Sequence, residues 1–217
     1  MITISAFRWV PPFAQGLVRD LRVRWALEEA GHPYEVRLIG PQEQKSDDYR
    51  ALQPFGQVPT YEEDDLKLFE SGAIVMHIAE KSDALMPRDA DGRARARTWM
   101  FAALNTLEPQ VQQLAAIDLF YPAEEWAKAR RPGVEQMVRK RLGELQVSMK
   151  GQDYLEDRFT AGDLLMVTVL RNLRQTEILT EYPALSAYRE RCEARSAFAR
   201  ALAAQMEPFK KNAPAAA

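Results

Sequence analysis

The 217-residue chain contains one cysteine, Cys192, which excludes a disulfide within it. Its two histidines, His32 and His77, are too few and too isolated for a metal centre. Charge of one sign is also lacking. Twenty-nine basic residues against 31 acidic ones leave a net charge of −2, with no surplus for a nucleic-acid-binding face. No apolar run reaches the ~18 residues of a membrane span. Met1 to Ala6 show none of the zones of a secretory signal, so a cytoplasmic protein is expected. One further absence is local. From Ala6 through Pro33 there is no serine, threonine, tyrosine or cysteine, so that stretch has no side-chain hydroxyl or thiol to offer.

What is present is the composition of an ordinary soluble globular protein, 47 % hydrophobic and 28 % charged, long enough for one large domain or two modest ones. Ile2, Ile4 and Ala6 alternate with Thr3 and Ser5, as in a half-buried strand. Pro11-Pro12 imposes a loop. Apolar residues from Leu17 to Ala30 fall roughly at helical spacing, and Gly31 stops that helix. Tyr34 to Ile39 reads as a second strand, parallel to the first because a helix separates them. Asp47 to Leu52 is a short helix. Val58 to Tyr61 and Leu66 to Phe69 form a hairpin turning at Asp64-Asp65. Ser71 to Lys81 closes this half, so residues 1–83 have the order βαβαββα.

Residues 84–89, with Pro87 among polar neighbours, read as a linker. From residue 90 to 210 the pattern is helical throughout. One long helix from Arg93 to Tyr121 carries Pro109, where a kink is expected. Another helix is expected from Val134 to Lys150, after Pro132-Gly133. Phe159-Thr160-Ala161-Gly162-Asp163 has the form of a capping box, in which Thr160 caps a helix and Asp163 reaches back to the cap's own amide. Helices opening at Pro183 and Ser196 follow, and Asn212 to Ala217 is expected to fray.

Two runs carry the chemistry: Gly56-Gln57-Val58-Pro59-Thr60 and Glu70-Ser71-Gly72-Ala73-Ile74. The residue before a proline is held extended, so Val58 can offer its N–H and C=O to a peptide-like ligand. An acid and a hydroxyl where a helix begins can hold a charged amino-acid end, with the helix amides taking its carboxylate. Together they suit a small zwitterionic peptide.

These runs, with Lys45-Ser46, Leu52-Gln53-Pro54-Phe55-Gly56 and Val23 to Gly31, resemble the glutathione transferase family over nearly the whole chain. The resemblance implies a thioredoxin-like N-terminal domain followed by an all-α helical-bundle domain, and a homodimer. It implies glutathione as co-substrate and no metal. Val58-Pro59 would meet the peptide backbone, Glu70-Ser71 the γ-glutamyl end, and Gln57 and Lys45 the glycyl end. The implied chemistry is attack of the glutathione thiolate on a small apolar electrophile, with peroxide reduction as a related activity. The co-substrate is expected between the domains, near Trp9 to Phe13 and Trp99, Met100 and Leu104. Neither nucleic acid nor membrane is an expected partner.

The family activates the thiol with a tyrosine, serine or cysteine near the first helix, and this chain has none there, so its catalytic residue is not identified. Lowering a thiol pKa of ~8.5 by two units needs ~2.7 kcal/mol. A helix N-terminus supplies up to ~2 kcal/mol and a hydrogen bond to a charged group ~1.5–3. Backbone amides at Gly16-Leu17-Val18 are therefore one candidate; Arg19 and Arg22 could add positive field, although each reads first as a solvated arginine or one facing a second subunit. Asn105 or Tyr121 from the helical half is another candidate. The competing reading is a non-catalytic glutathione-binding or protein-interaction module on the same fold.

Overall fold

The structure, a computed structural model, describes residues 1–214; Ala215–Ala217, in the tail expected to fray, lie outside the described residues. Strand β1 (Ile2–Phe7) is central in a four-stranded sheet of order β2-β1-β3-β4. It pairs in parallel with β2 (Tyr34–Ile39) and antiparallel with β3 (Thr60–Glu63), which turns into β4 (Leu66–Phe69). Asp64 takes the turn with φ of +52°, a conformation that aspartate tolerates better than most residues. Helices α1 (Asp20–Ala30), α2 (Asp47–Leu52) and α3 (Ser71–Glu80) complete the thioredoxin-like order.

Two local departures bear on the site. The first helix starts at Asp20 rather than Leu17, because Gly16 at φ +76° leaves the helical path and the Leu17 amide closes a turn onto the Ala14 carbonyl. Strand β1 is not half-buried: Ser5 is only 1 % exposed, as in a central strand covered on both faces.

The chain divides into two compact units, Met1–Met86 with Arg195–Ala217, and Pro87–Ala194. Where the sequence reading groups 90–210 together, the last helix, α9 (Ser196–Lys211), therefore joins the first unit. It packs on α1 through Trp25 and Phe198, whose rings meet edge-on at 4.8 Å. Arg195 binds Glu29 through two bonds of 2.6 and 2.7 Å. Beneath them the buried Arg24–Asp20 pair (2.8 Å) is completed by Gln205, whose Nε2 donates to Asp20 at 2.6 Å. A buried ion pair needs such extra bonds to offset the cost of leaving water.

The second unit is all helix. Helix α4 (Ala90–Phe101) runs through a π-helical segment, Ala102–Leu107, into α5 (Glu108–Phe120). Pro109, with no N–H for the Asn105 carbonyl, accounts for the irregular turn just before it. Helix α6 spans Glu125–Met149 and so begins well before the expected Val134, carrying Pro132 inside it. Pro132 and Lys128 are exposed, so water can take the Lys128 carbonyl that Pro132 leaves without a donor. Val134, Val138, Leu142, Leu145 and Met149 form its buried stripe.

Helix α7 (Ala161–Leu170) is buried all round, and helix α8 (Pro183–Glu193) follows it. Its capping box is formed as the sequence requires: Thr160 Oγ1 accepts from Gly162 N–H at 3.2 Å and Asp163 accepts from Thr160 N–H at 2.8 Å. Asp163 also takes bonds from Leu155 N–H and the Tyr188 hydroxyl, both at 2.9 Å, and from the Thr160 hydroxyl at 3.2 Å. Burial pushes the Asp163 carboxyl up. Every group facing its two oxygens is nonetheless a donor, so the ionised carboxylate is the form this shell solvates. A Cβ on Gly162 would lie 2.7 Å from Trp99 Cβ and 3.3 Å from the Ala96 carbonyl, so glycine is what lets α7 approach α4 this closely.

Candidate functional site

Register brings the two motif runs together. Thr60 pairs with Phe69, so Val58-Pro59 and Glu70-Ser71 emerge side by side from the same end of the β3–β4 hairpin. The Val58-Pro59 peptide bond is cis. Val58 is buried and packs with Ile39 and Tyr49, with Phe7 and Val18 against them. Its backbone N–H and C=O donate to and accept from nothing among the described residues. Gln57 has an exposed side chain. Gly56 supplies the turn before it at φ +63°, where a Cβ would lie 2.8 Å from the Arg50 guanidinium.

Glu70 is exposed and holds φ of +69° and ψ of 112°. For a non-glycine residue that conformation costs about 1–3 kcal/mol, and such strain concentrates at binding sites. Ser71 begins α3 and is buried. Its Oγ accepts a bond of 3.2 Å from Arg22 Nη1. With that lone pair engaged, the Ser71 hydroxyl proton is left to be donated. Arg22, which the sequence suggests is solvated or facing a second subunit, is instead 3 % exposed and delivers its charge beside the start of α3.

Lys45 is exposed at the end of a 3-10 turn, Glu43–Lys45. That turn is tied to the motif loop by Gln44 Nε2, which donates to the Gly56 carbonyl at 2.6 Å. Arg8 binds Glu43 at 2.8 Å and holds its carboxyl down at about 2. The candidate residues on three segments thus belong to one region of the first unit.

Of the amides weighed for a thiolate, that of Leu17 is engaged by Ala14, whereas that of Val18 meets no acceptor among the described residues. Neither histidine joins this region. His77 lies 3.5 Å from Glu63, which also binds Lys81 at 2.7 Å and the Tyr61 hydroxyl at 3.0 Å. These donors hold the Glu63 carboxyl down at about 2. Among the described residues no group of three or more His, Cys, Asp or Glu is placed to hold a metal ion, and no helix is long and apolar enough to cross a membrane.

Sequence reasoning missed two polar residues here, Ser5 and Tyr49. Ser5 and Tyr49 hydroxyls meet at 2.8 Å behind the Val58-Pro59 loop. Only their polar character on otherwise apolar strand and helix faces marked them.

A thioredoxin-like unit with a cis Val-Pro step beside a strained acid–serine helix start, joined to an all-helical unit, defines a two-domain class of fold. Within that class the comparisons are specific. Residues 15–80 match the family model of the glutathione S-transferase N-terminal domain, and residues 107–196 that of its C-terminal domain. The chain belongs to the glutathione S-transferase family. It is similar to a glutathione S-transferase of Hyoscyamus muticus, 29 % identical over 197 residues that cover 84 % of this chain and 92 % of that one. It is also similar to glutathione S-transferase 4 of Zea mays, 28 % identical and covering 97 % and 96 % of the two chains. A crystal structure of a glutathione transferase from Burkholderia graminis, with two glutathione molecules bound per subunit, superposes with a TM-score of 0.81 at 25 % identity, covering 93 % of this chain and 87 % of that one.

Proposed function

We propose that this chain is a glutathione transferase that binds glutathione on its first unit and directs the thiol at a small apolar electrophile, working as a homodimer. The observation that carries the reading is the pair of unengaged Val58 backbone groups next to a serine hydroxyl free to donate. Val58 N–H and C=O pair with the cysteinyl backbone of the tripeptide. Ser71 O–H, the first amides of α3 and the Arg22 charge take the γ-glutamyl carboxylate, while Glu70 takes the α-ammonium. Gln57 and Lys45 hold the glycyl carboxylate. Pro59 shapes the step and has no donor of its own.

The thiolate then attacks an electrophilic carbon. A C–S bond forms, the leaving group departs with its electron pair, and the thiol proton passes to solvent. Reduction of an organic peroxide is the related activity: one thiolate displaces alkoxide from the O–O bond, and a second glutathione resolves the product to disulfide. The amide at Val18 is the candidate donor to sulfur, since the stretch from Ala6 to Pro33 holds no hydroxyl. That same absence favours, as the second reading, a module that binds glutathione without turning it over.

Calorimetric titration with glutathione tests the placement. Glu70→Gly removes the carboxylate and relieves the positive φ together, so affinity falls at least several-fold while stability is kept or raised. Unchanged affinity refutes the placement. Ultraviolet titration of the bound thiol separates the two readings: a thiol that ionises well below free glutathione supports the transferase, and one that ionises like free glutathione supports the non-catalytic module.

A further inference from the structure

We propose that Ser5 and Tyr49 are positioning residues for the glutathione site, acting as a one-way hydrogen-bond chain that holds the Val58-Pro59 loop by the two backbone groups flanking it. The proposal rests on the glutathione reading given above. Thr60 N–H donates to Ser5 Oγ at 2.7 Å, and Tyr49 O–H donates to the Gln57 carbonyl at 2.6 Å. Between them Ser5 Oγ and Tyr49 Oη are 2.8 Å apart. A phenol has one proton, and here it goes to Gln57. The bond between the hydroxyls must therefore run from serine to tyrosine. The direction is then single: Thr60 N–H to Ser5, Ser5 O–H to Tyr49, Tyr49 O–H to the Gln57 carbonyl. Each hydroxyl accepts once and donates once, and bonds aligned this way strengthen one another.

The strand register explains why a serine is needed. Strand β1 pairs with β3 only as far as Ile4 opposite Tyr61, so Ser5 falls where the next pair would be. There its side chain, not the backbone ladder, receives Thr60 N–H. Ser5 is 1 % and Tyr49 4 % exposed, so neither touches a ligand. Burial raises the Tyr49 phenol above its ordinary value, which keeps it protonated and able to donate at neutral pH. The two loop positions left over are Val58, whose groups face no internal partner, and Pro59, which has no N–H. The chain thus fastens both ends of the loop and leaves the ligand-facing pair unused.

Glutathione affinity of wild type, Ser5→Ala, Tyr49→Phe and the double variant, measured by calorimetry well below each unfolding transition, tests this. Each single variant is expected to bind about three- to ten-fold more weakly, the equivalent of one lost neutral hydrogen bond. The double variant is expected to lose no more than the larger single loss, because one chain breaks only once. Folded variants that bind like wild type, or losses that multiply in the double variant, overturn the proposal. A wild type that does not bind glutathione overturns the functional reading and this proposal with it. Amide exchange on wild type needs no variant to fold: Thr60 N–H should be protected without ligand, and Val58 N–H only once glutathione is added. An unprotected Thr60 N–H overturns the proposal.

Discussion

Replacing Asp163 by alanine should be the most damaging single change in the helical unit. From the capping box alone, loss of the reciprocal bond to an N-cap amide costs ~0.5–2 kcal/mol. The structure raises that figure. Asp163 is fully buried and accepts four bonds, from Leu155 N–H, Thr160 N–H, the Thr160 hydroxyl and the Tyr188 hydroxyl. Thr160 and Tyr188 are themselves fully buried, so their donors have no ready route to water. Burial also keeps the Tyr188 phenol well above its ordinary value, so it remains a donor over the whole accessible pH range. Each stranded buried donor costs ~1–3 kcal/mol, and a water admitted into the vacated space can serve two or three of them. The expected net loss is about 3–5 kcal/mol, in the range found when one member of a buried network is removed. Guanidinium unfolding at pH 7 measures it directly, and the thermal midpoint should fall by about 6–20 °C for a chain of this size. Asp163→Asn keeps the shape but turns an NH2 toward at least one donor, so it should recover only part of the loss. A change under about 1 kcal/mol for alanine, or full recovery by asparagine, would refute the argument from acceptor count.

Gly162→Ala should destabilise by about 1–2 kcal/mol despite alanine's better helix propensity, because the new Cβ would stand 2.7 Å from Trp99 Cβ and the helices must part; equal or higher stability by the same unfolding measurement would show that α4 yields freely. The lowered pKa of Glu63, about 2, fixes the sign of a pH effect. Its contribution is present above the ordinary carboxylate value, about 4.5, and is lost as pH falls from there through about 2. The stability difference between wild type and Glu63→Gln should therefore be about 1 kcal/mol at pH 7 after solvent screening, and shrink between pH 4.5 and 2. A difference that is flat across that window removes the Lys81–Glu63 interaction as its source.

Much of the fold was legible because it is written in local terms. The β2 and α2 boundaries, the hairpin about Asp64-Asp65, the helix start at Ser71 and the Thr160–Asp163 box each depend on turn chemistry, capping or spacing within a few residues. The motif residues were legible for the same reason: Val58-Pro59 and Glu70-Ser71 are short runs whose backbone consequences are intrinsic. Prolines misled where solvent intervened. Pro132 reads as a helix boundary, yet α6 passes through it, because the cost of one missing donor falls on an exposed carbonyl and the buried stripe on either side outweighs it.

What only the tertiary structure decided is pairing across distance. No local pattern says that Arg22 ends beside Ser71 49 positions away, or that Ser5 and Tyr49 meet behind the loop. In sequence Ser5 is the polar member of an alternating strand, to be sent to solvent; in the fold both faces of the central strand are covered, and its hydroxyl must find partners inside. Glycine at 162 is likewise unremarkable until α4 is laid against it. The sequence by itself determined which backbone conformations and chemical groups exist, because those follow from neighbours along the chain. The tertiary structure decided which groups are buried together, because burial withdraws water and makes each remaining donor and acceptor depend on a partner from a distant segment.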